Sequence, residues 1–432
     1  MSPTPPTRTR YDVGVVRSCF PSLHVGDHVF MDNPGGTQVA KRVIDRTTDY
    51  FTRMNANTGG YFATSEASDD LLVQAHAAAA DLLGASTGDE IVFGQNMTSL
   101  TFSISRSIGR ELNPGDEIIV TRMDHDGNIS PWLMMAEDRG LTVRWLDFNR
   151  DTFRYDLDDL DRLLTPRTRL VAVNYASNAL GTVNDVRAVT ERAHAVGAWV
   201  YVDAVQYVPH GVTDVQAIGC DFLACSPYKF YGPHQGVVWG RRELLERLTP
   251  YKVRPASNEL PTRFETGTLS HEGMAGTLGA IEHLAWVGET MGFAAPAMES
   301  GIGPEGAGTG RRTPDPIRRR HLEAAFHAIA EHEHAVFGKL LDGLHAIPGV
   351  TVYGPDHRDR VPTVAITKSG TTPEQLARHL GRHGIFSWDG HYYAIEVVRH
   401  LGLDRQGGML RLGLAQYNTA DEVDRVLNAL TG

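Results

Sequence analysis

Hydrophobic residues in the first part of the chain form short runs, and the segments between the runs repeat their apolar residues at a helical spacing. Seven runs predict strands: EIVF, DEIIV, TVRWL, TRLVAVNYA, AWVYVDAV, DFLAC and GVVWG. Four segments between them predict helices: SLTFSISRSIG, WLMMAEDRG, DVRAVTERAHAVG and RELLERL. Regular alternation of strands and helices is typical of an α/β domain.

Several predicted strands are hydrophobic at every position rather than at alternate positions. This continuity indicates a mostly parallel sheet that is covered by helices on both faces. In such sheets, ligands bind outside the carboxyl ends of the strands. We therefore expect the chemistry of this chain where its strands end.

A Gly/Pro-rich stretch, FAAPAMESGIGPEGAGTGRRTPDPI, interrupts this pattern and predicts a linker. After it, a long helical segment and the short strands VTVYG, TVAIT and MLRLGL predict a smaller α+β domain. We divide the chain into an N-terminal segment that packs with the small domain, a large domain, a linker and a small C-terminal domain. Their bounds are 1–30, 31–291, 292–316 and 317–432.

Composition and charge narrow the possible partners and location. The chain has 52 acidic and 41 basic residues and a net charge of -11, which argues against binding to nucleic acid or to anionic membrane surfaces. The start MSPTPPTRTR lacks the apolar core of a signal peptide, and no run is long enough to span a bilayer. Cys19, Cys220 and Cys225 have no metal or disulfide spacing and are typical of reduced thiols. We therefore expect a cytoplasmic protein.

A single lysine, Lys229, lies in the stretch CSPYKFYGPHQG, directly after the apolar run DFLAC. Most lysines are solvated surface charges. Here the neighbouring aromatic residues can desolvate the amine and lower its pKa, as a nucleophilic lysine requires. This setting predicts a Schiff-base lysine, and therefore pyridoxal phosphate as the cofactor.

Pyridoxal phosphate needs an acid near its pyridine nitrogen and donors for its phosphate. Asp203 ends the strand AWVYVD at the expected ligand edge, and Gln206 follows it at a D-x-x-Q spacing. In GQNMTSL, Met97, Thr98 and Ser99 begin a helix whose backbone donors suit a phosphate. The plainer alternatives are a turn acid for Asp203 and a simple helix cap for GQNMTSL.

The histidines divide into one candidate and one group with an ordinary explanation. His125, in DHDGNISPW, can stack on a cofactor ring and shuttle protons, although a lone loop histidine is usually solvated. His321, His327, His332 and His334 lie among Glu and Ala at helical spacing, which predicts a solvated helix face rather than a metal site. No metal is therefore expected.

Taken together and in order, the motifs resemble those of the class V aminotransferase family of fold-type I pyridoxal phosphate enzymes, in its cysteine-desulfurase-like branch. The motifs are DNPGGTQ, NMTSL, DHDGNISPW, ASNALGTVND, VDAVQYVPHG, DVQAIGCDFLACSPYKFYGPHQGV, FETGTLSHEG and RLGLAQYNTADEVDRVL. The resemblance extends from about Met31 to Leu430, outside the linker. It implies a pyridoxal-phosphate-dependent transferase fold and a homodimer with shared sites.

The resemblance also implies roles for individual residues. Lys229 would carry the cofactor, and His125 would stack on it, so that both act in catalysis. The other implied cofactor contacts are Asp203 at the pyridine nitrogen, Gln206 and Asn178 near the phenolic oxygen, Met97, Thr98 and Ser226 at the phosphate, Tyr228 beside the lysine, and Thr268 at the phosphate of the neighbouring subunit.

Substrate binding would involve Asn178 and Arg411, which corresponds to the arginine that anchors the substrate α-carboxylate. The residue pattern alone places Arg411 on the polar face of an alternating strand, where surface residues are more common. Its role therefore depends on the resemblance.

The chain departs from desulfurases in the stretch SWDGHYYA. Trp388 stands at the position of an arginine, and Tyr393 at that of the cysteine that attacks the substrate sulfur. A phenol of ordinary pKa cannot replace a thiolate as the acceptor of a persulfide. Tyr228 stands where desulfurases have a histidine, and Cys225 is expected to be a core residue. These differences argue against desulfuration of free cysteine.

Four functions remain open for an amino acid or amino-acid conjugate as substrate. The first is β-elimination by a lyase that cleaves a C–S bond, and the second is transamination. Persulfide-forming desulfuration and cofactor binding without chemistry are the others. Trp388, His391, Tyr392 and Tyr393 form an aromatic stretch that suits a bulky substrate, so Trp388 and Tyr393 are candidate substrate contacts.

Overall fold

The protein is described by a computed structural model that covers residues 11–291, 312–356 and 359–431. Most of the predicted linker, and the first ten residues of the predicted N-terminal segment, lie outside the described residues. The strands are β1 (Val29–Phe30), β2 (Ile91–Gly94), β3 (Glu117–Thr121), β4 (Thr142–Leu146), β5 (Thr168–Asn174), β6 (Trp199–Asp203), β7 (Phe222–Cys225), β8 (Gly236–Gly240), β9 (Val350–Tyr353), β10 (Thr363–Lys368), β11 (Ile385–Phe386), β12 (Trp388–Gly390) and β13 (Met409–Gly413).

The helices are distributed between and after these strands. They are α1 (Val13–Ser18), α2 (Lys41–Asp49), α3 (Ala63–Leu83), α4 (Met97–Gly109), α5 (Ser130–Arg139), α6 (Leu157–Leu163), α7 (Val186–Ala195), α8 (Val215–Ile218), α9 (Arg242–Arg247), α10 (His271–Met291), α11 (Pro316–Ala346), α12 (Pro373–Arg382), α13 (Ile395–His400) and α14 (Ala420–Thr431). Each strand and helix predicted from the runs above is present.

The large sheet has seven strands in the order β2-β8-β7-β6-β5-β3-β4. The five strands from β7 to β4 are parallel, and β8 is antiparallel to both of its neighbours. Successive residues of β5 and β6 alternate between two apolar cores, one on each face of the sheet. A sheet buried on both faces explains why these strands are hydrophobic at every position. The predicted fold is confirmed.

The parallel strands end together at one edge of the sheet. β3 ends at Thr121, β5 at Asn174, β6 at Asp203 and β7 at Cys225. The segments that follow carry the residues singled out by the sequence. Because parallel strands share a direction, residues far apart in the chain meet at this edge.

The small sheet has four antiparallel strands in the order β12-β13-β10-β9. Helix α11 connects the two parts of the structure. Leu322, Phe326 and Ile329 in its first half belong to a core of the large sheet, whereas Phe337 and Leu340 belong to the core of the small one. A single long helix therefore couples the two sheets.

The N-terminal residues that the structure describes pack on the C-terminal part of the chain. Arg17 donates to the Tyr417 carbonyl and forms an ion pair with Glu422, and β1 pairs in parallel with β11. These contacts support the proposed packing of the N-terminal segment with the small domain.

The four helix histidines do not all face solvent as expected. His332 stacks on Tyr11 at 4.6 Å, and its ring bonds to the Asn418 carbonyl at 2.9 Å. The prediction was wrong for this residue because Tyr11 and the 418 loop cover that side of the helix. His327 and His334 are exposed, as expected. Among the described residues, no helix combines the length and apolar character needed to cross a membrane.

Candidate active site

Two adjoining cavities open at the carboxyl edge of the large sheet. The outer cavity has a volume of about 610 Å³, and the inner one is narrower. Both are lined by Thr98, His125, Asn178, Tyr228 and Lys229. The inner cavity also includes Asn96, Met97, Asn174, Ala176, Asp203, Val205, Gln206 and Ser226. The outer one also includes Asp32, Pro34, Gly35, Phe102, Asp126, Gly127, Ser130, Trp388, Tyr392, Tyr393 and Arg411.

Lys229 ends a short turn that follows β7, and its side chain is buried between the two cavities. Its Nζ donates a hydrogen bond to the Pro34 carbonyl and lies 4.8 Å from the centre of the Tyr228 ring. Burial, assisted by the nearby charge of Arg411, lowers the pKa of Lys229 from its usual 10.5 to about 7. A substantial fraction of this amine is therefore neutral near neutral pH, as a nucleophile requires.

Asp203 ends β6 and lies in the same inner cavity. Its Oδ1 accepts a hydrogen bond from the Val205 amide at 2.9 Å. Burial raises the pKa of Asp203 to about 6, although that hydrogen bond and the charge of Lys229 act in the opposite direction. A buried acid of this kind is suited to holding a protonated heterocycle, because the cation would favour its charged form.

His125 caps the short helical turn Asp126–Asn128, and its Nδ1 accepts a hydrogen bond from the Gly127 amide at 2.9 Å. Burial lowers the pKa of His125 to about 3, and the charges of Lys229 and Arg411 add to this effect. The ring is therefore neutral at physiological pH. It stacks on Tyr393 with ring centres 5.5 Å apart.

The start of helix α4 forms another wall of the inner cavity. Asn96 caps the helix by accepting from the Ser99 amide at 2.8 Å, so this amide is not available to a ligand. Met97, Thr98 and Ser226 do line the cavity. An anion placed there would face the positive end of a helix dipole.

Arg411 lies on β13 and is only 3% exposed. The prediction of a surface position from the strand pattern was wrong, because Asp32 and Tyr392 cover the face on which Arg411 lies. Its Nη2 donates to Asp32 Oδ1 at 2.7 Å, and its Nη1 donates to the Asn178 carbonyl at 3.1 Å. The Tyr392 ring covers the guanidinium at 4.6 Å.

Two buried polar atoms beside this cluster have no hydrogen-bond partner among the described residues. They are Arg411 Nε, a donor, and Asn178 Oδ1, an acceptor. Burying such atoms without partners costs about 1–3 kcal/mol each. A bound molecule that offers complementary groups would recover this energy.

The loop after β12 carries the aromatic residues at the mouth of the outer cavity. Tyr392 and Tyr393 are consecutive non-glycine residues with positive φ angles of 52° and 59°. A conformation of this kind costs about 1–3 kcal/mol per residue. It is held because the Tyr392 hydroxyl donates to the Met409 carbonyl, and Asn178 Nδ2 donates to the Tyr392 carbonyl at 2.8 Å. Tyr393 thereby projects over His125.

Some predicted residues lie outside the cavities or use their polar groups elsewhere. Thr268 is exposed and does not line either cavity of this chain. Gln206 lines the inner cavity, but its Nε2 donates to the Thr363 hydroxyl at 3.2 Å. His391 is exposed and is not part of the outer cavity. Tyr228 lines both cavities and stacks on His234 at 4.9 Å.

All three cysteines lie within the described residues, and none of them lines either cavity. Cys225 is 1% exposed in β7, and the prediction that it is a core residue is confirmed. Burial raises the pKa of the Cys225 thiol, so that it stays protonated at neutral pH. It lacks the thiolate character of a reactive cysteine.

Comparison with known proteins identifies the family. The family model "Aminotransferase class-V" matches residues 29–298 and 320–426. The chain belongs to the class V aminotransferase family. It is 33% identical to the "Aminotransferase-like protein FGM3" of Gibberella zeae, over 97% of this chain and 98% of that protein. It is 31% identical to a cysteine desulfurase of Dickeya dadantii, over 97% of this chain and 96% of that one.

A solved structure supports the fold at lower sequence identity. The apo structure of a cysteine desulfurase from Thermococcus onnurineus NA1 superposes with a TM-score of 0.83 at 24% identity, covering 97% of each chain. The predicted family and fold type I are confirmed. Members of this family are pyridoxal-phosphate-dependent enzymes, and this protein is one of them.

The residues of this member of the class V aminotransferase family fit the cofactor. The inner cavity combines a buried lysine with a lowered pKa, a buried carboxyl with a raised pKa and a helix N-terminus. Asn178 Oδ1 adds a buried acceptor that awaits a donor. The first three features would hold the aldehyde, the pyridine nitrogen and the phosphate of pyridoxal phosphate, and Asn178 Oδ1 would accept from a donor of the cofactor or the substrate.

Sequence reasoning missed Asp32 and Asp124. Asp32 lies in the DNPGGTQ motif, and its position directly after the apolar residues VFM is the signal that could have identified it. Asp124 is fully buried next to His125. Its carboxylate accepts from Thr121, from the Asn174 amide at 3.1 Å and from Asn128 Nδ2 at 2.7 Å. It fixes the loop that carries His125.

Proposed function

We propose that this enzyme acts on an α-amino acid with a bulky side chain and eliminates its β-substituent, most readily a sulfur group. The main observation in its favour is the size and aromatic lining of the outer cavity. Its volume of about 610 Å³ exceeds the needs of free cysteine, and Trp388 and Tyr393 at its mouth are 58% and 67% exposed. Exposed aromatic rings beside a cavity supply apolar contact area for a large ligand.

Binding of the amino acid depends on Arg411 and Asn178. A guanidinium can present paired N–H donors to an α-carboxylate, and this geometry favours arginine at such sites. Asn178 lies against it and faces both cavities. The side chain of the substrate would then extend toward Trp388 and Tyr393.

Pyridoxal phosphate, when bound, withdraws electrons from the α-carbon of an amino acid. Lys229 would accept the α-proton, since a pKa of about 7 suits a general base at neutral pH. The β-C–S bond would then break, and the sulfur would leave with the bonding pair as a thiolate. Once released, the aminoacrylate would take up water and a proton to give pyruvate and ammonium. Neutral His125 would cover the reacting centre without adding charge.

Transamination is the second candidate. The 33% identity to an aminotransferase-like protein over nearly the whole chain favours it. The same lysine would serve, because the two reactions differ only in where the proton is returned and in whether a β-substituent leaves.

The proposal includes a homodimer in which Thr268 reaches the neighbouring site. Thr268 is exposed outside the cavities of its own chain. His271, close after it, accepts from or donates to the Tyr50 hydroxyl at 3.0 Å, and Phe51 beside Tyr50 is 55% exposed. Tyr61 and Phe62 are also exposed. Exposed apolar residues of this kind are suited to an interface.

The proposal also includes a cytoplasmic location, with which the unpaired thiols of the three cysteines agree.

Product analysis tests the reaction. Holoprotein is mixed with a panel of L-amino acids and cysteine S-conjugates, and products are identified by mass spectrometry. Elimination predicts pyruvate, ammonia and a free thiol, with the highest rate for conjugates that carry an aryl group. A keto acid that keeps the carbon skeleton, with formation of aminated cofactor, would replace elimination by transamination. Alanine with released sulfur would indicate desulfuration, and would contradict the argument that Tyr393 cannot replace the desulfurase cysteine.

Two variants test the roles proposed for Lys229 and Arg411. Lys229→Ala should remove the visible absorption band of lysine-bound pyridoxal phosphate. Arg411→Ala should retain this band but weaken the spectral response to amino acids. A wild-type protein that stays colourless after addition of cofactor would refute the role of Lys229. An unchanged response in the arginine variant would refute that of Arg411.

A further inference from the structure

Asp32 stands in front of the arginine that is proposed to bind the substrate. It lies at the start of the short helical turn Asn33–Gly35, and its Oδ1 accepts from Arg411 Nη2 at 2.7 Å. Gly35 leaves room for this carboxylate, because a Cβ at that position would collide with Asp32 Oδ2. The backbone of the turn thus presents Asp32 to Arg411.

Arg411 has little surface left for a second carboxylate. Its side chain is 4% exposed, its Nη1 donates to the Asn178 carbonyl, and its Nε is buried without a partner. A substrate carboxylate needs two adjacent N–H groups for bidentate binding. It cannot reach them while Asp32 keeps its position on Nη2.

Asp32 differs from Tyr392 in its freedom to move. Its side chain is 24% exposed and lines the outer cavity, whereas Tyr392 is fixed by hydrogen bonds of both its hydroxyl and its carbonyl. Rotation of the Asp32 carboxylate into the cavity would uncover the guanidinium. The side chain that can yield is therefore the aspartate.

We propose that Asp32 is an internal competitor of the substrate: its carboxylate occupies Arg411 until an α-carboxylate displaces it. This inference deepens the proposed function and depends on the anchoring role of Arg411. It makes Asp32 a specificity-determining residue, because a ligand must carry a carboxylate that binds Arg411 well enough to displace Asp32. An amine without a carboxylate cannot displace Asp32 from Arg411, so its affinity does not depend on this competition.

The expected effect follows from the removal of this competition. A hydrogen bond between charged groups contributes about 1.5 kcal/mol or more, so Asp32→Asn should tighten binding of carboxylate ligands about tenfold. An asparagine keeps the shape but loses the charge. If Asp32 instead held Arg411 in place for the substrate, the same variant would weaken binding.

The experiment compares three probes on wild-type and Asp32→Asn holoprotein. L-phenylalanine carries both an amine and a carboxylate, 2-phenylethylamine lacks the carboxylate, and 3-phenylpropanoate lacks the amine. Binding of the first two is followed by visible absorption, and that of the third by calorimetry. Asp32→Ala serves as a second variant. Asp126→Asn is the matched control, because Asp126 lines the same cavity and its carboxylate bonds to Ser130 rather than to Arg411.

We expect Asp32→Asn to bind L-phenylalanine and 3-phenylpropanoate about tenfold more tightly and 2-phenylethylamine about equally. The control should change all three by less than about twofold. Equal tightening of all three probes would indicate an effect that does not depend on the carboxylate, and the same tightening in Asp126→Asn would indicate a general effect of charge. Either result would overturn the proposal, as would weaker or unchanged binding of the two carboxylates.

The third probe separates the two levels of inference. Tighter binding of 3-phenylpropanoate to Asp32→Asn supports the competition even if no amino acid changes the spectrum. That combination would contradict the proposed function alone. A wild-type response to amino acids without tightening in Asp32→Asn would contradict the competition alone.

Discussion

The ionisation of single residues determines when this site can react. Lys229 is buried beside Arg411, and both effects favour its neutral form, while Asp32 and Asp203 act in the opposite direction. The balance brings its pKa to about 7. Below this pH the amine is protonated and cannot attack an aldehyde, and above it the amine is free to do so.

We therefore predict that covalent uptake of pyridoxal phosphate by the apo-protein accelerates through a midpoint near pH 7 and then levels off. Stopped-flow absorption in the visible range measures this rate. Nα-acetyl-lysine is the control, since its amine should still gain reactivity up to about pH 10. A midpoint near that of the control would show that the lysine is not desolvated. His125 should add no inflection between pH 5 and 9, because its pKa is about 3.

At the scale of elements, the β12 strand and the loop after it determine the shape of the outer cavity. Trp388 pairs directly with Arg411 across β12 and β13, so the two side chains lie on the same face of the small sheet. The strained pair Tyr392 and Tyr393 completes the mouth. The rings that would contact the substrate side chain belong to residues other than Arg411, so side-chain selectivity should be separable from carboxylate binding.

The double variant Trp388→Ala, Tyr393→Ala should lose the preference for aryl side chains. We expect the concentration of S-benzyl-L-cysteine for half-maximal spectral response to rise about 30-fold, since the two rings together contribute about 2 kcal/mol. The response to L-alanine should change by less than about twofold. Phe386→Ala is the matched control, because this exposed aromatic residue does not line the cavity. Equal losses for both amino acids would contradict a side-chain subsite.

Helix α11 is tied to the loop after β6 by a buried pair. Glu333 Oε2 bonds to His210 Nδ1 at 2.9 Å, and the two side chains are 2% and 6% exposed. Glu333 lies on the apolar side of the helix between Ile329 and Val336. Removal of one partner leaves the other buried without a hydrogen bond, which is costly.

Glu333→Ala should therefore destabilise the folded protein by about 3 kcal/mol, measured by urea unfolding of the holoprotein. Glu323→Ala, on the same helix, removes a more exposed ion pair with Arg319 and should cost less than about 1 kcal/mol. Similar losses in the two variants would show that the Glu333 pair contributes no more than a surface contact.

At the scale of the whole molecule, the exposed aromatic residues near the start of α3 predict an interface. Phe62 is 56% exposed and lies beside the fully exposed Tyr61. A charge buried in an interface without a partner opposes association. Phe62→Asp should therefore shift the protein from dimer to monomer at micromolar concentration.

Light scattering coupled to size-exclusion chromatography measures this shift. Met134→Asp is the matched control, because Met134 on α5 is equally exposed at 56%. A wild-type monomer, or a dimer that is unaffected by Phe62→Asp, would refute an interface at this position.

The amino-acid sequence determined the architecture and the centre of the site. Continuous apolar strands require a sheet covered on both faces, and parallel strands deliver the residues that follow them to one edge. Asp203 and Lys229 could be placed there because each belongs to, or follows closely, one strand. The period of a strand and its direction are local properties that a sequence carries openly.

Only the tertiary structure decided how the substrate side of the site is arranged. Arg411 and Asp32 are 379 positions apart, and their pairing depends on how the N-terminal turn lies against β13. The strand pattern made Arg411 a surface residue, because alternation records that a side is polar but not what covers it. Contacts between distant segments depend on packing, and no local period encodes them. The chain alone therefore indicated the cofactor, while the folded molecule showed that the Asp32 carboxylate pairs with Arg411.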